Sequence, residues 1–160
     1  MTTQLNGTKW QVENHVGVQD VKVTPENQKQ SVYVYKCNES VITISGKCSS
    51  IAIDTCEKTG IIFDDVIASV EVVNSKGVQL QANGSVPNMT IDGTEGATIY
   101  VQTEAGRAVE IVTSNSRQVN IVTPGATEQD DPTEYPVPEQ FLSKFESGKL
   151  VSSAVEHIGV

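Results

Sequence analysis

Asp64 and Asp65 stand side by side after Phe63 and come closest to a catalytic pair in this 160-residue chain. Clustered carboxylates on the outside of a β-structure act as general acid and base in polysaccharide cleavage. Strand alternation works against the pair, because consecutive residues point to opposite faces, so it reads as a turn with a solvated carboxylate. An aromatic content of 5% also leaves few platforms for sugar rings. The two histidines, His15 and His157, lie near opposite ends and outside any H-x-x-x-H or Cys/His spacing. Metal-ligating and nucleophilic chemistry therefore lack support. G-x-S-x-G, P-loop and G-x-G-x-x-G patterns are absent as well. Cys37, Cys48 and Cys56 are spaced 11 and 8 apart, which suits neither a disulfide framework nor paired C-x-x-C motifs. Buried, reduced thiols are expected. Four N-x-S/T sequons, at Asn6, Asn38, Asn83 and Asn88, read as turn chemistry. The expectation is a protein that is not an enzyme and holds no metal or cofactor.

Charge narrows the partners. A net charge of −9 opposes approach to a nucleic-acid backbone or an anionic membrane surface. No apolar run approaches the roughly 20 residues that cross a bilayer, and Met1 to Gly17 lacks the basic start and apolar centre of a secretory signal. The sequence predicts a cytoplasmic protein with no nucleic-acid partner and no membrane insertion.

These residues are carried by β-structure. The chain has 23 Val, 12 Ile and 15 Thr against 4 Leu, a bias toward β-branched side chains that suit pleated strands. Apolar residues recur as alternating pairs: Val32/Val34, Ile42/Ile44, Ile51/Ile53, Ile61/Phe63, Val70/Val72, Val78/Leu80, Met89/Ile91, Ile99/Val101, Val109/Ile111 and Val119/Ile121. Their first members are 10, 9, 10, 9, 8, 11, 10, 10 and 10 residues apart, which is an internal repeat. Two short strands per coil give a period near 19 and a parallel β-helix of about six coils, each rising by about 4.8 Å. The residues between each pair then face outward. One face stacks Tyr33, Ala52, Glu71, Thr90 and Glu110, and the other Thr43, Ile62, Gln79, Tyr100 and Asn120. A barrel or sandwich would also accommodate ten short strands, but the even stacking favours the coil.

The division expected is a β-helix over 1–127, an acidic Pro-containing connector over 128–138 and a C-terminal β-hairpin over 139–160. Net charge is −4 over 1–127 and −5 over 128–160, so repulsion and Pro132, Pro136 and Pro138 keep the connector extended. Phe141, Leu150, Val151, Val155 and Ile158 make the hairpin apolar, and it must be buried on its own β-helix or on a second copy. Exchange with a second copy is favoured, giving a homodimer.

Five segments carry a family resemblance: Leu5 to Asn14, Tyr35-Lys36-Cys37, Gly60 to Val66, Pro136 to Phe141, and Gly148 to Val151. Running in order over nearly the whole chain, they resemble the C-terminal domain of cyclase-associated protein. That resemblance implies a right-handed parallel β-helix that dimerises by hairpin exchange. It also implies binding of monomeric actin, ADP form preferred, and faster ADP-to-ATP exchange, which regulates filament turnover. The helical, proline-rich and short actin-binding segments that precede the domain in larger members have no counterpart here, so the chain is a naturally short version or an excised domain. Its last residues, Val155 to Val160, depart from the T-E-I-A-G-like ending of the family.

The candidate actin-binding patch lies on the first coils. Glu13 and Gln11 sit at its base, Tyr33 and Tyr35 above them, Asp54 above those, and Lys36 and Asn38 at the adjoining corner. Polar groups around two aromatics suit a protein interface. Lys9, Lys58, Asp64 and Asp65 join because they match the family's motifs, while Trp10 is read as a cap over the helix end. The second reading is a GTPase-activating or tubulin-folding module, since tubulin cofactor C shares this type of β-helix and uses an arginine in phosphoryl transfer. Only Arg107 and Arg117 are available, and the cysteine-arginine motif of that relative reads Lys36-Cys37 here.

Overall fold

The computed structural model describes residues 1–155. The chain opens with β1 (Thr2–Asn6), β2 (Lys9–Glu13), β3 (Val21–Val23), β4 (Ser31–Tyr35), β5 (Val41–Ile44) and β6 (Cys48–Asp54). It continues through β7 (Gly60–Phe63), β8 (Val66–Val73), β9 (Lys76–Ala82), β10 (Asn88–Asp92) and β11 (Glu95–Val101). After a single helical turn at Ala105–Ala108 come β12 (Glu110–Ser114), β13 (Arg117–Thr123), β14 (Thr133–Pro136), β15 (Phe141–Glu146) and β16 (Lys149–Ala154). Even-numbered strands from β2 to β12 pair in parallel as one sheet, and odd-numbered strands from β3 to β13 as the other. The architecture is therefore the expected parallel β-helix of six coils.

Alternation fills its interior. Val34, Ile53, Val72 and Ile91 stack in one column, and Ile42, Ile61, Leu80 and Ile99 in the facing one, each essentially inaccessible to water. Full burial of such a side chain stabilises by roughly 1.5–3 kcal/mol, so the repeat itself builds the core.

The corner that leads from the first sheet to the second is also repeated. Asn14, Lys36, Thr55, Asn74, Gly93 and Asn115 all have φ between 48° and 61°. L-residues resist this conformation, Thr most of all. What holds them is the coil above: the N–H groups of Asn14, Lys36, Thr55, Asn74 and Gly93 donate to the carbonyls of Tyr35, Asp54, Val73, Asp92 and Ser114 at 3.0–3.1 Å.

The structure corrects the expected stacking in two places. Val112, not Glu110, stands beside Thr90, because Glu110 pairs with Asn88. The helical turn before β12 lengthens that coil, and Ile111 takes the rung assigned to Val109. On the second sheet Gln81 and Val122 complete the row of Ile62 and Tyr100, whereas Gln79 and Asn120 lie two residues earlier beside Thr98. A shift of two keeps each side chain on its face, so the pattern alone could not reveal it.

The termini add antiparallel strands that the repeat does not announce. β1 pairs with β2 at the first coil, and β14, inside the acidic connector, pairs with β13 at the last. β15 and β16 form the hairpin expected at the C-terminus, and among the described residues they pair only with each other. Ser147 and Gly148, both at positive φ, make its two-residue turn.

Candidate functional site

Parallel register brings the patch together. Gln11, Tyr33 and Ala52 stand in one outward row of β2, β4 and β6, and Glu13, Tyr35 and Asp54 in the next. The two tyrosine rings stack with centroids 5.7 Å apart and planes 13° from parallel. Lysines flank both ends of this platform: Lys9 Nζ lies 5.5 Å from the Tyr33 centroid and Lys36 Nζ 5.3 Å from that of Tyr35. A cation over an aromatic face adds about 0.5–1 kcal/mol at an exposed site, and here it also limits each lysine's freedom.

Asp54 is fixed from two sides. Tyr33 Oη donates to its Oδ2 at 2.9 Å, and Thr55 Oγ1 donates to its Oδ1 at 2.8 Å. Partial burial, then the hydrogen bond to the Asp54 carboxylate and its charge, push the Tyr33 phenol up to about 12. The phenol is thus a fixed donor at neutral pH. Thr55 was not among the residues singled out from the sequence; its place one period after Lys36 is the signal that would have found it.

The remaining candidates divide. Asn38 sits at the corner beside the patch, where its carbonyl accepts from Gly17 N–H and Ser40 Oγ. Lys58 lies one coil higher and approaches Glu39 at 4.0 Å, an exposed pair contributing little. Asp64 and Asp65 lie between β7 and β8, at the opposite corner of the coil from Tyr35 and Asp54. Asp64 Oδ2 accepts from Gly46 N–H at 2.8 Å and Asp65 Oδ1 from Ser85 N–H at 2.8 Å, so they tie the turn to the coils below and above. That is the turn role expected for them, with the two carboxylates serving separate bonds.

Trp10 packs against the core at the first coil and donates to Gln30 Oε1 at 2.9 Å. The three cysteines are free and buried. Burial, with the Asp64 charge behind it, pushes the Cys48 thiol up to about 11, and Cys56 is raised by its hydrogen bond with Cys37 and by burial.

On the hairpin, Phe141, Leu150, Val151 and Val155 are all exposed, and Ile158 lies outside the described residues. Phe141, Phe145 and Leu150 share one face by register. At the same end of the molecule β12 has no further strand beside it among the described residues, and Ile111 and Ile121 are only partly covered. Among the described residues no helix is long and apolar enough to cross a membrane.

A profile of the family described as "Adenylate cyclase associated (CAP) C terminal" matches residues 1–157. Cyclase-associated protein 1 of Arabidopsis thaliana is 39% identical over 96% of this chain, and adenylyl cyclase-associated protein 1 of Homo sapiens is 40% identical over 98%. In each case the chain spans about a third (32%) of the relative's length. The crystal structure of cyclase-associated protein from Cryptosporidium parvum superposes with a TM-score of 0.90 at 32% identity, covering 96% of this chain and 94% of that one.

Proposed function

Because the chain belongs to the family of CAP C-terminal domains, we propose that it binds monomeric actin, prefers the ADP form and promotes exchange of ADP for ATP, thereby regulating filament turnover. An exchange factor needs no bond chemistry. It must bind the open, nucleotide-poor state of its partner more tightly than the closed state, and differential affinity does the rest. The observation that carries this reading is the Tyr33–Tyr35 stack flanked by Lys9 and Lys36, with Asp54 locked beside it. Groups fixed before contact lose little freedom on binding.

The proposed contacts are Lys9, Glu13, Tyr33, Tyr35, Lys36, Asn38 and Asp54, with Lys58 at the margin. Asp64 and Asp65 enter only through the turn they hold. Hairpin exchange between two copies is proposed as the basis of a homodimer, supported by an apolar hairpin that has no cover, and a β12 edge that has no partner, among the described residues. No observation favours the GTPase-activating or tubulin-folding alternative: Arg107 pairs with Glu104 at 3.4 Å and Arg117 with Glu95 at 2.9 Å.

Release of a fluorescent ATP analogue from monomeric actin, at physiological salt and without profilin, tests the proposal. Faster release that saturates with dose is expected. Unchanged release alongside binding would reduce the role to monomer buffering, and absence of binding would overturn it.

A further inference from the structure

A second repeated feature runs up the same corner. Gly17, Glu39, Lys58, Gly77, Gly96 and Gln118 also have positive φ, between 50° and 78°. In the lower coils their N–H groups donate upward to a carbonyl of the next coil: Gly17 to Asn38 at 2.9 Å, Glu39 to Glu57 at 3.0 Å and Lys58 to Lys76 at 2.9 Å. Above Gln118 there is no further coil. Its N–H donates instead to the side-chain Oε1 of Glu139 at 3.3 Å. A carboxylate carried by the returning chain stands in for the missing carbonyl, at a slightly longer distance than the backbone bonds below it.

The surroundings make this a firm anchor. Val137 N–H donates to Val119 O at 2.9 Å, and Glu134 Oε1 accepts from Asn120 Nδ2 at 3.0 Å, so the chain is attached to the last coil up to Glu139. The Arg117 guanidinium, already paired with Glu95, feels the Glu139 charge as well. Immediately beyond, Val155 N–H donates to Gln140 O at 2.9 Å and closes the base of the hairpin. No residue is left free between the anchor and the arm.

We infer that Glu139 is a positioning residue that ends the corner ladder and aims the C-terminal hairpin away from its own β-helix, toward a second copy. The inference rests on the proposed homodimer. Without the anchor the arm swings, spends less time in the exchanging direction and becomes free to lie against its own β12 edge. A conservative change that keeps an acceptor at the same place preserves the aim.

The test compares wild type, Glu139→Ala and Glu139→Gln in the full chain by sedimentation equilibrium and by hydrogen exchange at the Gln118 amide. Glu139→Ala is expected to raise the dimer dissociation constant about tenfold and to speed Gln118 exchange, with Glu139→Gln restoring both toward wild type. Faster exchange with an unchanged dissociation constant would overturn the aiming role. A wild-type chain that stays monomeric at every concentration overturns the dimer reading instead. Aim is then read from spin labels at Ser147→Cys and Gln79→Cys, where a distance distribution no broader in Glu139→Ala than in its Glu139 parent overturns the inference.

Discussion

Tyr33 and Asp54, 21 residues apart in sequence, meet across neighbouring coils with the phenol donating to the carboxylate at 2.9 Å. The repeat makes this contact, since Asp54 is the rung above Tyr35 and thus diagonal to Tyr33. It joins two candidate binding residues into one unit, so neither is expected to act alone.

The first prediction follows from that pair. The Tyr33 phenol titrates near 12 in the folded protein against an ordinary value of 10. The folded state therefore holds its proton more tightly than the unfolded state. This stabilisation is fully present below pH 10 and is lost as pH rises from about 10 to 12. Denaturant midpoints measured from pH 8 to 12 should fall less steeply for Tyr33→Phe than for wild type. At pH 7 the variant should lose about 0.5–1.5 kcal/mol, the usual net value of one hydrogen bond. Parallel pH curves would disprove the linkage.

Tyr35 offers a ring to a partner, whereas Lys36 adds a single exposed cation. Tyr35→Ala should weaken actin binding about tenfold or more, as loss of an aromatic anchor does. Lys36→Ala should weaken it by about fivefold or less. Titration of labelled ADP-actin gives both numbers. Equal binding by both variants and wild type would move the contact surface elsewhere.

The interior was legible in the sequence because alternation and period are local properties. Ile42/Ile44 and Ile51/Ile53 announce buried columns with no knowledge of the partner strand. Register across the helical turn at Ala105–Ala108 was not, since the coil there is 22 residues long instead of 19, and the resulting shift of two residues, from Val109 to Ile111, keeps an apolar side chain facing inward. The positive-φ corners were hidden for another reason. Lys36, Thr55 and Lys58 carry no glycine-like signal, and their conformation comes from hydrogen bonds to a coil 18 residues ahead. Within the site, Tyr33, Tyr35 and Asp54 could be placed by counting. The lysines over the rings and Thr55 beside Asp54 depend on side-chain directions that spacing does not supply.

Gly84 tests the turn held by Asp65. A Cβ there would overlap Asp65 Oδ1 and the backbone of Asp64 and Asp65. Gly84→Ala should cost about 1–3 kcal/mol, the range for overpacking, because the neighbours are backbone and a carboxylate already bonded to Ser85 N–H. Gly7→Ala, with open space around it, should cost only the strain of its positive φ, about 1 kcal/mol. Chemical denaturation ranks the two, and a reversed order would remove the steric argument.

All three thiols are buried, with Cys48 and Cys56 further held in the neutral form. At pH 8 a thiol-reactive dye should label fewer than one equivalent in the folded protein and three after denaturation. Rapid labelling of Cys37 or Cys56 in the native state would mean that the corner column around them opens readily, and rapid labelling of Cys48 that the opposite corner does.

The hairpin decides the last prediction. Phe141 is 63%, Phe145 80% and Leu150 62% exposed, and all three lie on one face, so among the described residues that apolar face has no cover within its own chain. Removing residues 139–160 should therefore lower the melting temperature of the β-helix only by what the Gln118–Glu139 bond contributes, while abolishing the dimer. It should also weaken actin binding, because two linked sites hold a partner longer than one. A truncated protein that still sediments as a dimer at low concentration would place the self-association surface on the β-helix. A truncated protein that melts far below wild type would mean that the arm folds back on its own β12 edge and that each chain caps itself.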